Sequence, residues 1–302
     1  MWCGKGIRVL KGGITIMNTQ KMIGKKIERI DALSKVMGKS KYANDLKFNN
    51  MIYGKVLRSP FPRARIKEID ITNVRDLPGI IVLTAKDIPG ENAVGVIIKD
   101  QPILVDKEVR FVGEPVVLVG GDSEEIAEKT IELIKVTYEP LEAIFNPIKA
   151  MGKNAPEIHP GGNIASYMKV RKGDTEKGFK EADIVIEGVY KTQRVEHAYL
   201  EPETAVAKLE DDGRITVWAS TQHTHHDREE VARMLGLSLN RVRIIQTVTG
   251  GAFGGKMGNC LAQCYAALLA FKTGKPAKVI YTRDESISTT TKRHPYIIEY
   301  KT

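Results

Sequence analysis

The chain has 302 residues, a length near which a single hydrophobic core stops growing, so two domains are expected. Hydrophobic residues make up 42% of it and charged residues 27%, which excludes a disordered tail, a collagen-like rod and a disulfide scaffold. Residues 1–50 carry +8 of the formal net charge of +9, so the rest lacks the basic stripe of a nucleic-acid-binding domain. No apolar run reaches the roughly 20 residues of a membrane helix, and three cysteines favour a reducing, cytoplasmic setting.

The first residues are expected to lie outside the fold. Residues 1–22 are interpreted as a tail or as a mis-called extension. Lys11-Gly12-Gly13 can be encoded by a purine-rich ribosome-binding sequence at a suitable distance before Met17. We therefore hypothesise that translation starts at Met17, and a natural flexible tail is the alternative.

Residues 23–145 are predicted to form an α/β domain. Apolar or alternating β-branched runs bounded by Pro, Gly and Asp are typical of strands. Ser123–Ile134 has apolar residues at helical spacing, and Ser123 is the expected N-cap because Glu124 and Glu125 complement the positive end of the helix. The predicted strands are Met51–Leu57, Arg65–Ile69, Ile80–Leu83, Pro115–Gly120 and Lys135–Tyr138.

Residues 146–168 are rich in Pro and Gly and are predicted to be a linker to a second domain at residues 169–302. Helices are predicted at Gly173–Ala182, Asp227–Leu235, Gly258–Phe271 and Asp284–Thr290. Strands are predicted at Asp183–Val195, Thr204–Leu209, Ile215–Ala219, Val242–Val248, Lys278–Tyr281 and Tyr296–Tyr300. The last of these strands is expected to find no pairing partner within the chain, and an open edge of this kind invites association.

The segment Thr249–Lys256, with four glycines, lies between a predicted strand and a predicted helix. Glycine lets a backbone turn tightly and lets a ligand approach main-chain N–H groups, and a following helix start favours an anion. Gly250, Gly255 and Lys256 also satisfy the spacing of a nucleotide P-loop. Met257 replaces the Ser or Thr whose hydroxyl holds magnesium there, so P-loop nucleotide binding is the weak alternative.

A series of motifs occurs in one order from about Ile23 to Thr302. The motifs are Lys35–Asp45, Arg58-Ser59-Pro60, Ala64, Ile66, Pro78-Gly79, Arg110–Val116, His197–Pro202, Ser220-Thr221-Gln222, Thr249–Lys256, Arg283–Glu285 and Lys292–Pro295. Together they resemble the molybdenum-binding subunit of the xanthine dehydrogenase / aldehyde oxidase family. The resemblance implies an α+β protein, with an N-terminal α/β hammerhead domain followed by the first part of a mixed α/β molybdopterin-binding domain. Nicotinate dehydrogenase is the branch that it resembles most.

The resemblance implies a molybdenum ion held by a pterin cofactor, which is molybdopterin or its dinucleotide. The enzyme is then a hydroxylase that inserts water-derived oxygen into an aldehyde or into an N-heterocycle of the purine or nicotinate type. Gln222 matches the glutamine whose amide hydrogen-bonds a ligand of the metal. Phe253 and Gly254 match the loop backbone that approaches those ligands, and Gly251, Ala252 and Gly255 complete the cofactor-binding set. Met257 is the expected substrate contact, where purine-oxidising relatives often carry glutamate.

The resemblance places the catalytic base outside this chain, so no catalytic residue is expected within it, and the chain alone is expected to be inactive. Its three cysteines are too few for iron–sulfur centres. Expected partners are a second molybdopterin-binding polypeptide, an iron–sulfur subunit and an FAD subunit, with a small-molecule substrate. The alternative is a non-catalytic assembly fragment that keeps the fold and binds no cofactor.

Two further groups of residues are interpreted as structural. His223, His225 and His226 are predicted to form a polar approach to the helix at Asp227, because no fourth Cys or carboxylate has zinc-finger spacing. Cys260 and Cys264 are four residues apart on one predicted helix and are expected to be buried thiols.

Overall fold

A computed structural model describes residues 24–258 and 260–302. The hypothesis of a start at Met17 therefore falls outside the described residues, as does Cys3. The described residues 24–40 belong to a unit of their own, in which the helix α1 spans Ala32–Val36. The remaining chain, from Lys41 to Thr302, forms a second compact unit.

The second unit contains both strands and helices. The described strands are β1 (Ile52–Arg58), β2 (Ala64–Asp70), β3 (Ile81–Leu83), β4 (Glu108–Val109), β5 (Pro115–Gly121), β6 (Lys135–Pro140), β7 (Glu187–Lys191), β8 (Thr204–Leu209), β9 (Ile215–Ala219), β10 (Val242–Gln246), β11 (Ala277–Ile280) and β12 (Ile297–Lys301). The described α-helices are α2 (Glu124–Leu133), α3 (Pro147–Ala150), α4 (Thr175–Glu181), α5 (Thr224–Leu235), α6 (Leu261–Thr273) and α7 (Arg283–Thr289).

The largest sheet has seven strands in the order β10-β9-β8-β11-β1-β5-β3. Strand β1 runs parallel to β11, with Ile52 opposite Ala277, and antiparallel to β5. Strands from both sides of residues 146–168 are thus hydrogen-bonded into one sheet. The predicted domain boundary at residues 146–168 stays a prediction, and α3 lies within it. A second sheet has the order β4-β2-β6.

Helix α2 covers the β1–β5 part of the large sheet. The predicted N-cap is confirmed, since the Ser123 hydroxyl accepts a hydrogen bond from the Ile126 N–H at 3.2 Å. Ala127 and Thr130 are its buried residues. These contacts orient the helix against the core formed by β5, β2 and their neighbours.

Helix α6 is the centre of the other core. All of its residues from Leu261 to Ala270 are buried, against strands β8, β9 and β11 and helix α5. A helix that is apolar on all sides belongs in such an interior. It ends at Gly274, which adopts the left-handed conformation usual at a helix C-terminus. Its burial fixes the point at which the preceding glycine-rich loop reaches the surface.

The structure corrects several predicted elements. The strand predicted over Asp183–Val195 is shorter in the structure, where β7 spans the five residues Glu187–Lys191 and pairs with β12. The prediction that the last strand is unpaired is wrong, since Ile298 of β12 lies opposite Tyr190 of β7 in an antiparallel pair. Helix α5 begins at Thr224, three residues earlier than predicted, and α6 begins at Leu261. His225 and His226 therefore lie in the first turn of α5 rather than before it.

Candidate functional site

The glycine-rich loop connects β10 to α6 and contains a strained, exposed aromatic residue. Phe253 has φ +51° and its side chain is 76% exposed. Gly251 and Gly254 adopt φ +100° and +95°, a region that L side chains rarely enter. A non-glycine residue in this region costs about 1–3 kcal/mol, and such strain concentrates at functional sites. The loop therefore has the local structure of a binding element.

Gln222 lies beside this loop, three residues after β9. Its Oε1 accepts a hydrogen bond from the Gly254 N–H at 3.1 Å. Because an N–H group needs an acceptor, this contact fixes the orientation of the amide. The Nε2 group makes no hydrogen bond among the described residues, and the side chain is exposed. The site thus presents a neutral, oriented donor that does not titrate.

A buried ion pair supports the loop from within the protein. The Lys256 side chain is 1% exposed, and its Nζ lies 3.2 Å from Glu201 Oε2 and 2.7 Å from Ser220 Oγ. The same carboxylate oxygen accepts hydrogen bonds from Ser220 Oγ at 2.5 Å and from the Gly250 N–H at 2.7 Å. Lys256 Nζ also lies 4.6 Å from the centre of the Tyr199 ring. Burial lowers the pKa of Lys256 despite the opposing effect of Glu201.

Tyr199 and His197 form the floor under the second half of the loop. A Cβ on Gly255 would lie 2.6 Å from Tyr199 Cε1 and 2.8 Å from His197 Nδ1, so no larger residue fits there without movement. The Tyr199 hydroxyl donates a hydrogen bond to Glu203, whose carboxyl pKa is raised by burial. His197 Nδ1 is buried without a hydrogen-bond partner among the described residues. Close packing on this side leaves the opposite side of the loop as the accessible one.

The structure argues against the P-loop alternative. A P-loop lysine has to reach nucleotide phosphates, but Lys256 is buried against Glu201 and Ser220. The helix also begins only at Leu261, five residues after the lysine. Gly250, Gly255 and Lys256 therefore have the spacing of a P-loop in the sequence but not the geometry of a P-loop in the structure.

The predicted site residues are brought together in one place. Gly251, Ala252, Phe253, Gly254 and Gly255 form the loop, and Gln222 contacts it through Gly254. Ala252 is buried, and its carbonyl accepts a hydrogen bond from the Gly255 N–H at 2.7 Å. Met257 ends the loop with an exposed side chain. Their individual roles toward a ligand stay predictions.

Sequence reasoning missed the residues that hold the loop in place. Glu201 lies within the His197–Pro202 motif, and Glu203 follows it directly. The partner of Glu201 is Lys256, 55 residues away. No local pattern in the sequence identifies such a pair. The signal that is present is a single lysine directly after four glycines, together with a glutamate in a separate motif.

Comparison with known families agrees with this geometry. A family model described as the molybdopterin cofactor-binding domain matches residues 158–302. A second, described as the aldehyde oxidase and xanthine dehydrogenase a/b hammerhead domain, matches residues 37–142. The chain belongs to the xanthine dehydrogenase and aldehyde oxidase family. The predicted fold class, a hammerhead domain followed by a molybdopterin-binding domain, is confirmed.

Two curated relatives of this family member are similar over most of its length. It is 41% identical over 282 residues to the nicotinate dehydrogenase large molybdopterin subunit of Eubacterium barkeri, covering 93% of this chain and 66% of that protein. It is 33% identical over 283 residues to the xanthine dehydrogenase molybdenum-binding subunit of Escherichia coli O157:H7, covering 90% and 38%. The predicted resemblance to nicotinate dehydrogenase is confirmed. The chain spans less than two thirds of the length of these relatives.

Solved structures of family members share the fold. Quinoline 2-oxidoreductase from Pseudomonas putida 86 superposes with a TM-score of 0.83 at 27% identity, over 92% of this chain and 37% of that one. Aldehyde oxidoreductase from Desulfovibrio gigas gives a TM-score of 0.82 at 29% identity, over 90% and 32%.

Among the described residues, no helix combines the length and the apolar character needed to span a membrane.

The local geometry fits the cofactor of this family. A Cβ on Gly254 would have only His197 Nε2 within 4 Å, at 3.8 Å, so the space in front of this glycine is open to a ligand. Residue 254 has a φ of +95°, which favours glycine, so this position carries no side chain that would fill the space. The free amide donor of Gln222 lies next to it. Glycine backbone and oriented amide together suit a group bearing oxygen ligands.

Proposed function

We propose that this chain is the molybdenum cofactor-binding part of a hydroxylase that oxidises an N-heterocycle or an aldehyde with water-derived oxygen. The observation that carries the proposal is the contact of Gln222 Oε1 with the Gly254 N–H. It joins the two elements that the family resemblance assigns to the cofactor and leaves one amide donor free beside an open glycine. The cytoplasm is the proposed location, in keeping with the buried free thiols of Cys260 and Cys264.

When bound, the molybdenum cofactor would supply the two-electron oxidation of the substrate carbon. Gln222 would donate a hydrogen bond from Nε2 toward an oxygen of the cofactor, and a neutral amide stabilises charge there without titrating. Gly254 and Gly251 would let the main chain approach the cofactor closely, with Ala252 and Gly255 holding the turn. The backbone of Phe253 would lie beside the ligands of the metal, as the family resemblance implies.

Met257 is the proposed substrate contact. Its side chain is exposed at the end of the loop and offers an uncharged thioether. Such a group packs against an apolar ring face but does not pair with the polar edge of a purine. A nicotinate-type heterocycle or an aldehyde therefore suits this position better than xanthine.

Partner subunits are proposed to complete the enzyme. The described cysteines, Cys260 and Cys264, are buried in and beside α6, where they cannot hold iron–sulfur clusters. The β7–β12 ribbon exposes apolar side chains that a second molybdopterin-binding polypeptide could cover, among them Val189, Tyr190 and Tyr300. Electrons would leave through an iron–sulfur subunit and an FAD subunit.

The test is to purify the native complex, identify its chains by mass spectrometry and assay molybdenum and pterin. We expect both to co-purify with this chain, together with hydroxylation of nicotinate or an aldehyde. A folded complex without molybdenum or pterin would favour the assembly fragment and contradict the proposal. A monodisperse monomer of this chain that oxidises substrate unaided would overturn the proposed partners.

A further inference from the structure

A second cluster of donor groups lies between α5 and the start of α6. His226 and Asp227 lie in the first turn of α5, and Cys260 immediately precedes α6. One imidazole nitrogen, one carboxylate oxygen and the thiol sulfur all lie within 4.8 Å of one another. His226 is 7% exposed, and the other two side chains are fully buried. Three ligand-type groups thus converge in the interior from two separate parts of the chain.

Two of these groups carry an atom without a hydrogen-bond partner among the described residues. These atoms are His226 Nδ1 and Asp227 Oδ1. They lie 3.9 Å apart, which is too far for a hydrogen bond. Two ligands of one zinc ion, each about 2.0–2.2 Å from the metal, are separated by about 3.5 Å. The observed distance between the two atoms is therefore close to that expected for two ligands of the same zinc ion.

The opposite atom of each group is held by a neighbour. Gln263 Nε2 donates a hydrogen bond to Asp227 Oδ2 at 3.0 Å. His226 Nε2 lies 3.3 Å from the Gly95 carbonyl oxygen, a contact that orients the ring. Ligand side chains in metal sites are typically oriented in this way by a second contact. A buried carboxylate oxygen and a buried ring nitrogen left unpaired are costly, and a cation would satisfy both.

We propose that His226, Asp227 and Cys260 supply three ligands of a zinc site. Imidazole, carboxylate and thiolate are the ligand types that zinc takes, and the two anionic ligands balance its charge. The nearby Glu230 is already neutralised, because Lys99 and Arg233 both bind its carboxylate. The site shares no ligand with the proposed molybdenum site, so it stands or falls independently of the proposed function.

A metal at this position would connect the segment that follows Gln222 with the segment that follows the glycine-rich loop. Helix α5 starts two residues after Gln222, and Cys260 follows the loop residue Met257 by three. Zinc would hold these two segments at a fixed distance. The rival interpretation is an ion pair between His226 and Asp227, 3.9 Å apart, with no metal.

The experiment uses the full 302-residue chain, stripped of metal by dialysis against a chelator and then titrated with Zn²⁺ or Co²⁺. Serine replaces Cys3 and Cys264, so that Cys260 is the only thiol. We expect one equivalent of zinc by calorimetry and a thiolate-to-cobalt charge-transfer band in the near ultraviolet. His226→Gln should weaken zinc binding at least about tenfold. His225→Gln, an exposed neighbour on the same helix, is the matched control and should bind like the parent.

Absence of stoichiometric zinc binding or of the thiolate band in the parent protein would overturn the proposal in favour of the ion pair. Equal weakening by His225→Gln and His226→Gln would also overturn it. The cobalt band of the parent decides the matter even where a variant fails to fold, because only Cys260 can produce it.

Discussion

Replacing Lys256 by methionine removes the cation of the buried ion pair while keeping the length of the side chain. Glu201 then keeps its hydrogen bonds from Ser220 Oγ and the Gly250 N–H but loses its counter-ion. Removal of one partner from a buried ion pair costs about 3–5 kcal/mol, because the other charge stays buried. The Glu201 side chain is 12% exposed and so keeps some hydration. We therefore expect a loss near the lower limit, about 3 kcal/mol.

Substitution of the other partner, Glu201→Gln, should destabilise the protein by a similar amount because it leaves Lys256 buried and unpaired. The double variant removes both charges together, and a buried pair replaced by neutral groups of similar volume is often neutral in stability. The free energy of unfolding of the double variant should therefore lie within about 1 kcal/mol of the wild-type value. This loss is well below the sum of the two single losses. The coupling free energy between the two residues should exceed about 2 kcal/mol.

The measurement is urea denaturation of the four proteins, monitored by the fluorescence of Trp218, which packs against Phe48. The pair Lys208–Glu210 is the matched control, because its side chains are 38% and 28% exposed and its coupling should stay below about 1 kcal/mol. Molybdenum content of the loaded protein should fall with each single variant, since the loop loses its support. A Lys256→Met variant that loses less than about 1 kcal/mol, or strictly additive losses, would refute the role of the pair.

Three further predictions concern other residues. Gln222→Ala should retain the pterin but lower kcat by an amount equivalent to about 2.7–4 kcal/mol, the cost of losing one oriented donor; unchanged turnover of the reconstituted enzyme would contradict it. Gly254→Val should prevent molybdenum loading, because valine is strained at φ +95° and fills the open space, and full metal content in the folded variant would count against the loop assignment. Burial raises the pKa of Glu114 from 4.5 to about 7, so its ionisation opposes folding and stability should fall as the pH rises through this range. Glu114→Gln should abolish this fall, which amounts to about 3 kcal/mol, and parallel pH dependences of unfolding in both proteins would exclude the effect.

Local sequence patterns predicted most of the elements of the second unit. Strands β8 and β9 have the predicted bounds, and most other strands differ by one or two residues, because alternation and flanking Gly or Pro are local signals. The exceptions are β4, where no strand is predicted, and the strand predicted over Asp183–Val195. In the second of these segments, the strand β7 covers only the part that pairs with β12. The length of a strand depends on its partner, which periodicity does not identify.

The candidate site was predictable in its loop but not in its support. Glycines at Gly251 and Gly254 indicate the turn, and the structure gives both of them positive φ. The pairing of Lys256 with Glu201 joins residues of ordinary local context and exists only in the folded chain. Cys260 meets His226 for the same reason, since helix packing brings together residues that have no fixed spacing in the sequence.

The parallel pairing of β1 with β11 has a consequence for synthesis on the ribosome. Ile52 pairs with Ala277, so roughly 225 residues are translated between the two partners. At about 5–20 residues per second, this takes about 10–45 seconds. During that interval β1 has an open edge, and such edges pair readily with other chains. Nascent chains that have not yet reached residue 277 should therefore be the form that chaperones bind.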